Sequence, residues 1–244
     1  MTDRAAKPRR IRCAATIATA ATVALVATWA APAAAAPAGH HAGAARAQST
    51  SPPPKPLLTI EEQAEDIGDR VPGKGWPRIA ADVKAIKAAW ARFQSGAKAD
   101  GVSATTIDDF NGALDRLVAA AKAKNGAATS QGANDISRVT VELFGSYQLD
   151  APVQVGRLDV IGRQIELDLD ADNPDGVTSQ IDEARAQWEA IRADVATRSA
   201  AVPTQVDATL DALGEAQRAG NTRLLHAETR VLLELVDSIE ELYG

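Results

Sequence analysis

From Ile60 to Leu242 apolar residues return every three or four positions, and this spacing restricts the chain to helices that each bury one face. Ile79, Val83, Ile86, Trp90 and Phe93 form one such stripe, and Val177, Ile181, Ala184, Trp188, Ile191 and Val195 form another. The alternation a half-buried strand needs is nowhere sustained; "RVTVELF" is the one short competitor, and its flanks are helical in pattern. The expected class is therefore all-α.

Local signals divide the stripes into eight helices. Thr59 followed by Glu62 has the form of a capping box, ahead of an apolar face made by Ile60, Ala64, Ile67 and Val71. Pro72-Gly73 should end that helix. Pro77 suits a first helical turn, where its missing N–H is harmless. Ser103 is placed to cap the helix of Ile107, Phe110, Leu114 and Leu117, and Asn125-Gly126 reads as its left-handed end. Ile136, Val139, Leu143 and Tyr147 mark the next. Asp150-Ala151-Pro152 restarts the chain before Leu158, Ile161, Ile165 and Leu169. Asn173-Pro174 is again a cap followed by a first-turn proline. Pro203 opens the helix of Val206, Leu210 and Leu213, Gly220-Asn221 ends it, and Leu225, Leu232, Leu235, Ile239 and Leu242 form the last stripe.

The two halves can be superimposed. Shifted by 98 positions, Ile60 falls on Leu158, Ile67 on Ile165, Val83 on Ile181 and Trp90 on Trp188. Shifted by 96, Leu114 falls on Leu210, Leu117 on Leu213, Leu143 on Ile239 and Tyr147 on Tyr243. A two-residue deletion in a loop reconciles the offsets. Aliphatic matches arise between any two amphipathic sequences, so the Trp and Tyr pairs carry the weight. The expectation is a helical bundle built from two copies of a four-helix unit, residues 57–149 and 150–244. Periodicity leaves open whether the copies share one core.

Upstream, residues 1–38 read as a signal peptide. A basic stretch with Arg4, Lys7, Arg9, Arg10 and Arg12 precedes an Ala-rich apolar run and small residues suited to cleavage. Export to the periplasm or beyond is expected, with no membrane span in the mature chain. Residues 39–56 are polar, small and Pro-rich, the composition of a disordered linker. The single cysteine, Cys13, precedes the apolar run, so the mature domain would hold no disulfide, thiol nucleophile or thiolate metal site. Removing five basic residues and one acid with the leader takes the net charge from −6 to −10. Such an acidic domain has no electrostatic footprint for nucleic acid or anionic lipid.

Few residues suggest chemistry. His226 is the one histidine beyond the linker, so no zinc pair or di-iron motif can be assembled, and a Ser-His-Asp hydrolase would need it as the only base, with no G-x-S-x-G to supply the nucleophile. Gly68 to Gly75, "GDRVPGKG", mimics a phosphate loop but lacks the Ser or Thr after its Lys and has Pro72 where an N–H is needed, so it reads as a turn. Asp168, Asp170 and Asp172 open a stretch resembling a calcium loop, with Asn173 and Ser179 where Gly and Glu belong. These acids are a weak calcium candidate, and they equally suit the N-terminus of the following helix. Asp159, Arg163 and Glu166 share one helical face, as do Asn134 and Arg138; if the faces meet they form a polar cluster between helices. Trp76, Trp90 and Trp188 are simplest as core residues. Cleavage after Ala38 would expose Gly39-His40-His41, whose amine, two amides and third-position imidazole suit the tetragonal preference of Cu(II).

The segments "AIKAAWARF", "ANDISRVTVELFGSY", "RLDVIGRQIELD" and "ELVDSIEELY" resemble those of exported bacterial helical-bundle proteins with no assigned activity, over Thr59 to Tyr243. In architecture alone, a doubled four-helix bundle behind an export signal is also similar to the imelysin and EfeO-type iron-uptake proteins. Their H-x-x-E signature is absent, since His226 is followed three places on by Thr229, so iron binding is not implied. The resulting expectation is a non-enzymatic exported protein that binds an envelope partner or small ligand and needs no cofactor. The alternative is a metal-binding protein, using copper at the processed tip or calcium at the acidic loop.

Overall fold

The computed structural model describes residues 51–97 and 101–244; the expected signal peptide, most of the expected linker and the Gly39-His40-His41 copper candidate lie outside them. Among the described residues there are eight α-helices and no strand: α1 Lys55–Arg70, α2 Trp76–Ala97, α3 Ala104–Lys122, α4 Gly126–Phe144, α5 Val153–Asp170, α6 Pro174–Arg198, α7 Val202–Arg218 and α8 Thr222–Glu241. The fold is all-α. None of these helices is long and apolar enough to cross a membrane.

Most caps form where the turn chemistry predicts. Ser103 accepts from the Thr106 N–H at 3.0 Å, and Asn173 accepts from Gly176 at 3.2 Å. Two expectations need correction. Thr59 does not start α1: Pro54 is the N-cap and Pro56 sits in the first turn, where fixed φ favours helix and the missing N–H removes nothing. Helix α1 therefore begins five residues earlier and carries Leu57 into the core. The left-handed residue after α3 is Lys124, with φ 53°, while Asn125 caps α4 by accepting from the Ala128 N–H.

Helices α1 to α4 pack in a ring, α1 on α2 and α4, and α3 on α2 and α4. The same order holds for α5 to α8. Each ring closes on its own buried cluster, one running from Leu57 to Tyr147 and the other from Val155 to Ile239, with no residue in common. Trp90 and Trp188 are each 3% exposed. Trp90 stacks on Phe110 with ring centroids 3.7 Å apart.

The rings meet along α4 and α5. Buried Val141 and Val160 lie there, outside both core clusters. Gly156 lets the helices approach: a Cβ on it would lie 3.2 Å from a Val141 methyl.

Candidate functional site

The seam between the rings is where the pattern of apolar inside and charged outside breaks down. On α4, Asn134 is 4% exposed and donates from Nδ2 to the Val160 carbonyl at 3.2 Å and to Gln164 Oε1 at 3.0 Å. Gln131 and Arg138 donate to that same oxygen at 2.9 and 3.1 Å. This amide network fixes α4 against α5. Beyond it Arg157 grips Glu142 through two hydrogen bonds of 2.9 Å.

Carboxylates crowd the side of the seam that faces α1 and α8. Glu61, Glu65 and Asp69 stand four residues apart on α1, so they project in one row. Asp159 and Arg163 of α5 join them; Arg163 Nε donates to Asp159 at 2.8 Å, and its Nη1 lies 3.8 Å from Asp69. Glu240 of α8 closes the group, with Asp237 of the same helix within electrostatic reach of Asp159 and Glu240. The Arg163 guanidinium thus stands within reach of five acids, Glu61, Glu65, Asp69, Asp159 and Glu240.

Two adjoining cavities open into this cluster. The first, about 200 Å³, has Glu61, Glu65, Asp159 and Glu240 in its walls, together with Gly156 and Pro152. The second, about 370 Å³, is bounded by Glu65, Asp69, Asn134, Arg163, Glu166 and Asp170, among others. Glu65 belongs to both. Glu61 is half-buried as a residue, yet its Oε2 is sealed from solvent and has no hydrogen-bond partner among the described residues. The same is true of Asn134 Oδ1.

Burial sets the protonation of the cluster. It pushes the Glu61 carboxyl up to about 8, helped by the negative charges of Glu65 and Asp159 and opposed by the Ser137 hydroxyl and Arg163. Glu65 rises to about 7, first through burial and then through Asp159, against the pull of Arg163. Asp159 and Glu240 are raised for the same leading reason. Near neutral pH the cluster therefore holds exchangeable protons.

The five residues expected to form a polar cluster are divided. Asn134, Arg163 and Glu166 share the larger cavity, and Glu166 lies 3.8 Å from Arg230 of α8. Asp159 belongs to the smaller one. Arg138 is exposed and borders a different hollow with Glu142 and Arg157. The acids of α1 were not singled out from sequence, although Glu61, Glu65 and Asp69 repeat one charge at spacings of four, an arrangement that is unfavourable on an isolated helix.

In the acidic loop, Asp168 is buried and accepts from Asn173 Nδ2 at 2.9 Å, which ties it to the α6 cap, while Asp170 and Asp172 are exposed. Gly68 to Gly75 is the end of α1 and a turn, with Lys74 left-handed at φ 53°. His226 is half-buried on α8. Among the described residues no three His, Cys, Asp or Glu side chains converge closely enough to hold one metal ion. No family model matches the chain, and neither curated proteins nor solved structures provide a similar one.

Proposed function

We propose that this is a non-enzymatic binding protein, exported to the cell envelope, whose ligand lodges at the seam between its two helical rings. One observation carries the reading: adjoining cavities lined by carboxylates, with two sealed oxygen atoms that lack partners. A buried acceptor without a partner is costly, by about 1–3 kcal/mol each. Departures of this kind from consistent packing concentrate at functional sites. The network of Asn134, Gln131 and Gln164 behind the cavities gives the seam a defined shape in which a ligand can be held. The leader segment supports export, and the acidic charge balance argues for partners other than nucleic acid.

Native mass spectrometry of protein purified from its own envelope tests the reading. The expected result is a bound mass that is retained by the wild type and lost on Glu65→Leu. A wild type that carries no adduct, or an adduct indifferent to Glu65→Leu and Asn134→Leu alike, would overturn it. N-terminal sequencing of the same material tests export, which predicts a start within the small-residue segment near Ala38.

A further inference from the structure

The chemistry of the seam narrows what it can accept. The two unpartnered atoms, Glu61 Oε2 and Asn134 Oδ1, are both oxygens, and Asn134 has its own Nδ2 engaged by Val160 and Gln164. The amide oxygen of Asn134 can only accept, and so can Glu61 once ionised. A fitting ligand must therefore bring donors. The surroundings also call for positive charge: Glu61, Glu65 and Asp69 from α1, Asp159 from α5 and Glu240 from α8 surround Arg163, and Asp237 of α8 adds its charge beside Asp159 and Glu240. From α4 the larger cavity is lined by the neutral polar side chains of Ser130, Asn134 and Ser137.

A bare metal ion fits poorly, because it needs several oxygens within about 2.0–2.6 Å of one point. No such convergence exists among the described residues. The acids are instead spread along the seam, with Glu61 and Glu65 one helical turn apart and so separated by about 6 Å of helix rise. A cation that carries its charge on N–H groups along a short chain can meet them in turn. Its methylenes would pass Val141, Val155 and Pro152, which give the smaller cavity its apolar wall.

We propose that the seam between α1, α4, α5 and α8 binds a small alkylammonium ion. The proposal rests on the seam being a binding place and adds the class of ligand. Burial raises the carboxyls of Glu61 and Glu65 to about 8 and about 7, so the empty seam holds protons near neutral pH. An ammonium group replaces those protons as the positive partner. The carboxylates ionise, the protons leave to solvent, and small turns of the two side chains bring Glu61 Oε2 and Asn134 Oδ1 to the N–H donors. Nothing covalent changes.

The probe is 1,4-diaminobutane, titrated calorimetrically into the full mature chain at pH 6, 7 and 8.5, in pairs of buffers with different heats of ionisation. The expected result is one-to-one binding that releases protons at pH 6 and 7, releases fewer at pH 8.5, and tightens at least tenfold from pH 6 to 8.5. Glu61→Gln and Asn134→Leu, each checked for wild-type helicity, should weaken binding at least tenfold. Glu62→Gln, an exposed neighbour on α1, should leave it unchanged. Binding without proton release, binding indifferent to Glu61→Gln, or tighter binding of Ca²⁺ or Mg²⁺ than of the diamine would each overturn the proposal. If the diamine fails while the natively purified protein carries a ligand lost on Glu65→Leu, the alkylammonium assignment falls and the seam remains a binding place. If neither binds, both readings fall.

Discussion

Trp90 donates its indole N–H to Asn111 at 2.8 Å, and Trp188 donates to Asp207 at 2.7 Å. The acceptors are 96 positions apart and the tryptophans 98, the two offsets seen in the sequence on either side of the α2–α3 and α6–α7 connections. The same indole therefore meets a side-chain Oδ1 at the matching position of each ring. Both side chains are almost wholly buried, so Trp90→Ala and Trp188→Ala should each cost about 3–5 kcal/mol in denaturant titrations. A much smaller loss at one site would show that its surroundings collapse readily into the space. The acceptors differ in one respect. Asp207 is also gripped by Arg192, whose hydrogen bond holds its carboxyl below the usual range. A depressed folded value means that the stabilisation is present above the unfolded carboxylate value and is lost as pH falls through the folded one. Asp207→Asn should therefore flatten the loss of stability on acidification, read in thermal melts from pH 5 to 2.

The turns between helices show how much of the fold was legible. Ser103 and Asn173 cap helices by accepting an N–H three residues on, as their residue types suggest, whereas Asn221, read with Gly220 as the end of α7, caps α8 in the same way. Asn125 misled because asparagine suits both a left-handed helix end and an N-cap. Here Lys124 takes the left-handed position and Asn125 the cap. Lys74 and Asp172, 98 positions apart, are left-handed at the same φ of 53°, and Lys124 is matched 96 positions on by Gly220 at 62°. The second ring thus uses glycine where the first uses lysine. Lys124→Gly should stabilise the protein by about 0.5–1 kcal/mol, because relief of the Cβ clash exceeds the added freedom of the unfolded chain; a drop in the denaturation midpoint would contradict this. Gly132 works in the opposite direction. A Cβ there would lie 2.9 Å from the Leu117 backbone, so α3 and α4 touch only because the side chain is missing. Gly132→Ala should cost about 1–3 kcal/mol by forcing these helices apart. No pattern of apolar spacing marks that contact, since glycine at this point looks like an ordinary weak helix former.

For the whole molecule, periodicity showed which faces are buried but not against what. Whether the rings share a core depends on how α4 meets α5, and Asn134 and Gln164 decide that through a contact 30 residues apart in sequence. The carboxylates at the seam were hidden for a related reason: Glu61 and Glu65 look like the solvated side of α1 until α5 and α8 arrive opposite them. Their pH dependence has a definite sign. Each holds its proton in the folded protein to about pH 8 and 7 respectively, while the unfolded chain releases it near 4.5. Between these values the folded state binds more protons, so stability falls as pH rises through the window and levels off above it. Melting temperature should decline from pH 5 to 8, and Glu61→Gln should flatten the decline. An unchanged slope in Glu61→Gln would mean that this carboxyl titrates as if in water. The separate cores carry one more consequence. With no buried residue in common, the α1–α4 and α5–α8 rings each enclose the apolar contacts they need, and what passes between them is a band of amides, ions and two valines. Heat and denaturant should find two cooperative blocks rather than one, with a calorimetric enthalpy larger than the van't Hoff value and slow hydrogen exchange confined to two islands, one in each half of the chain.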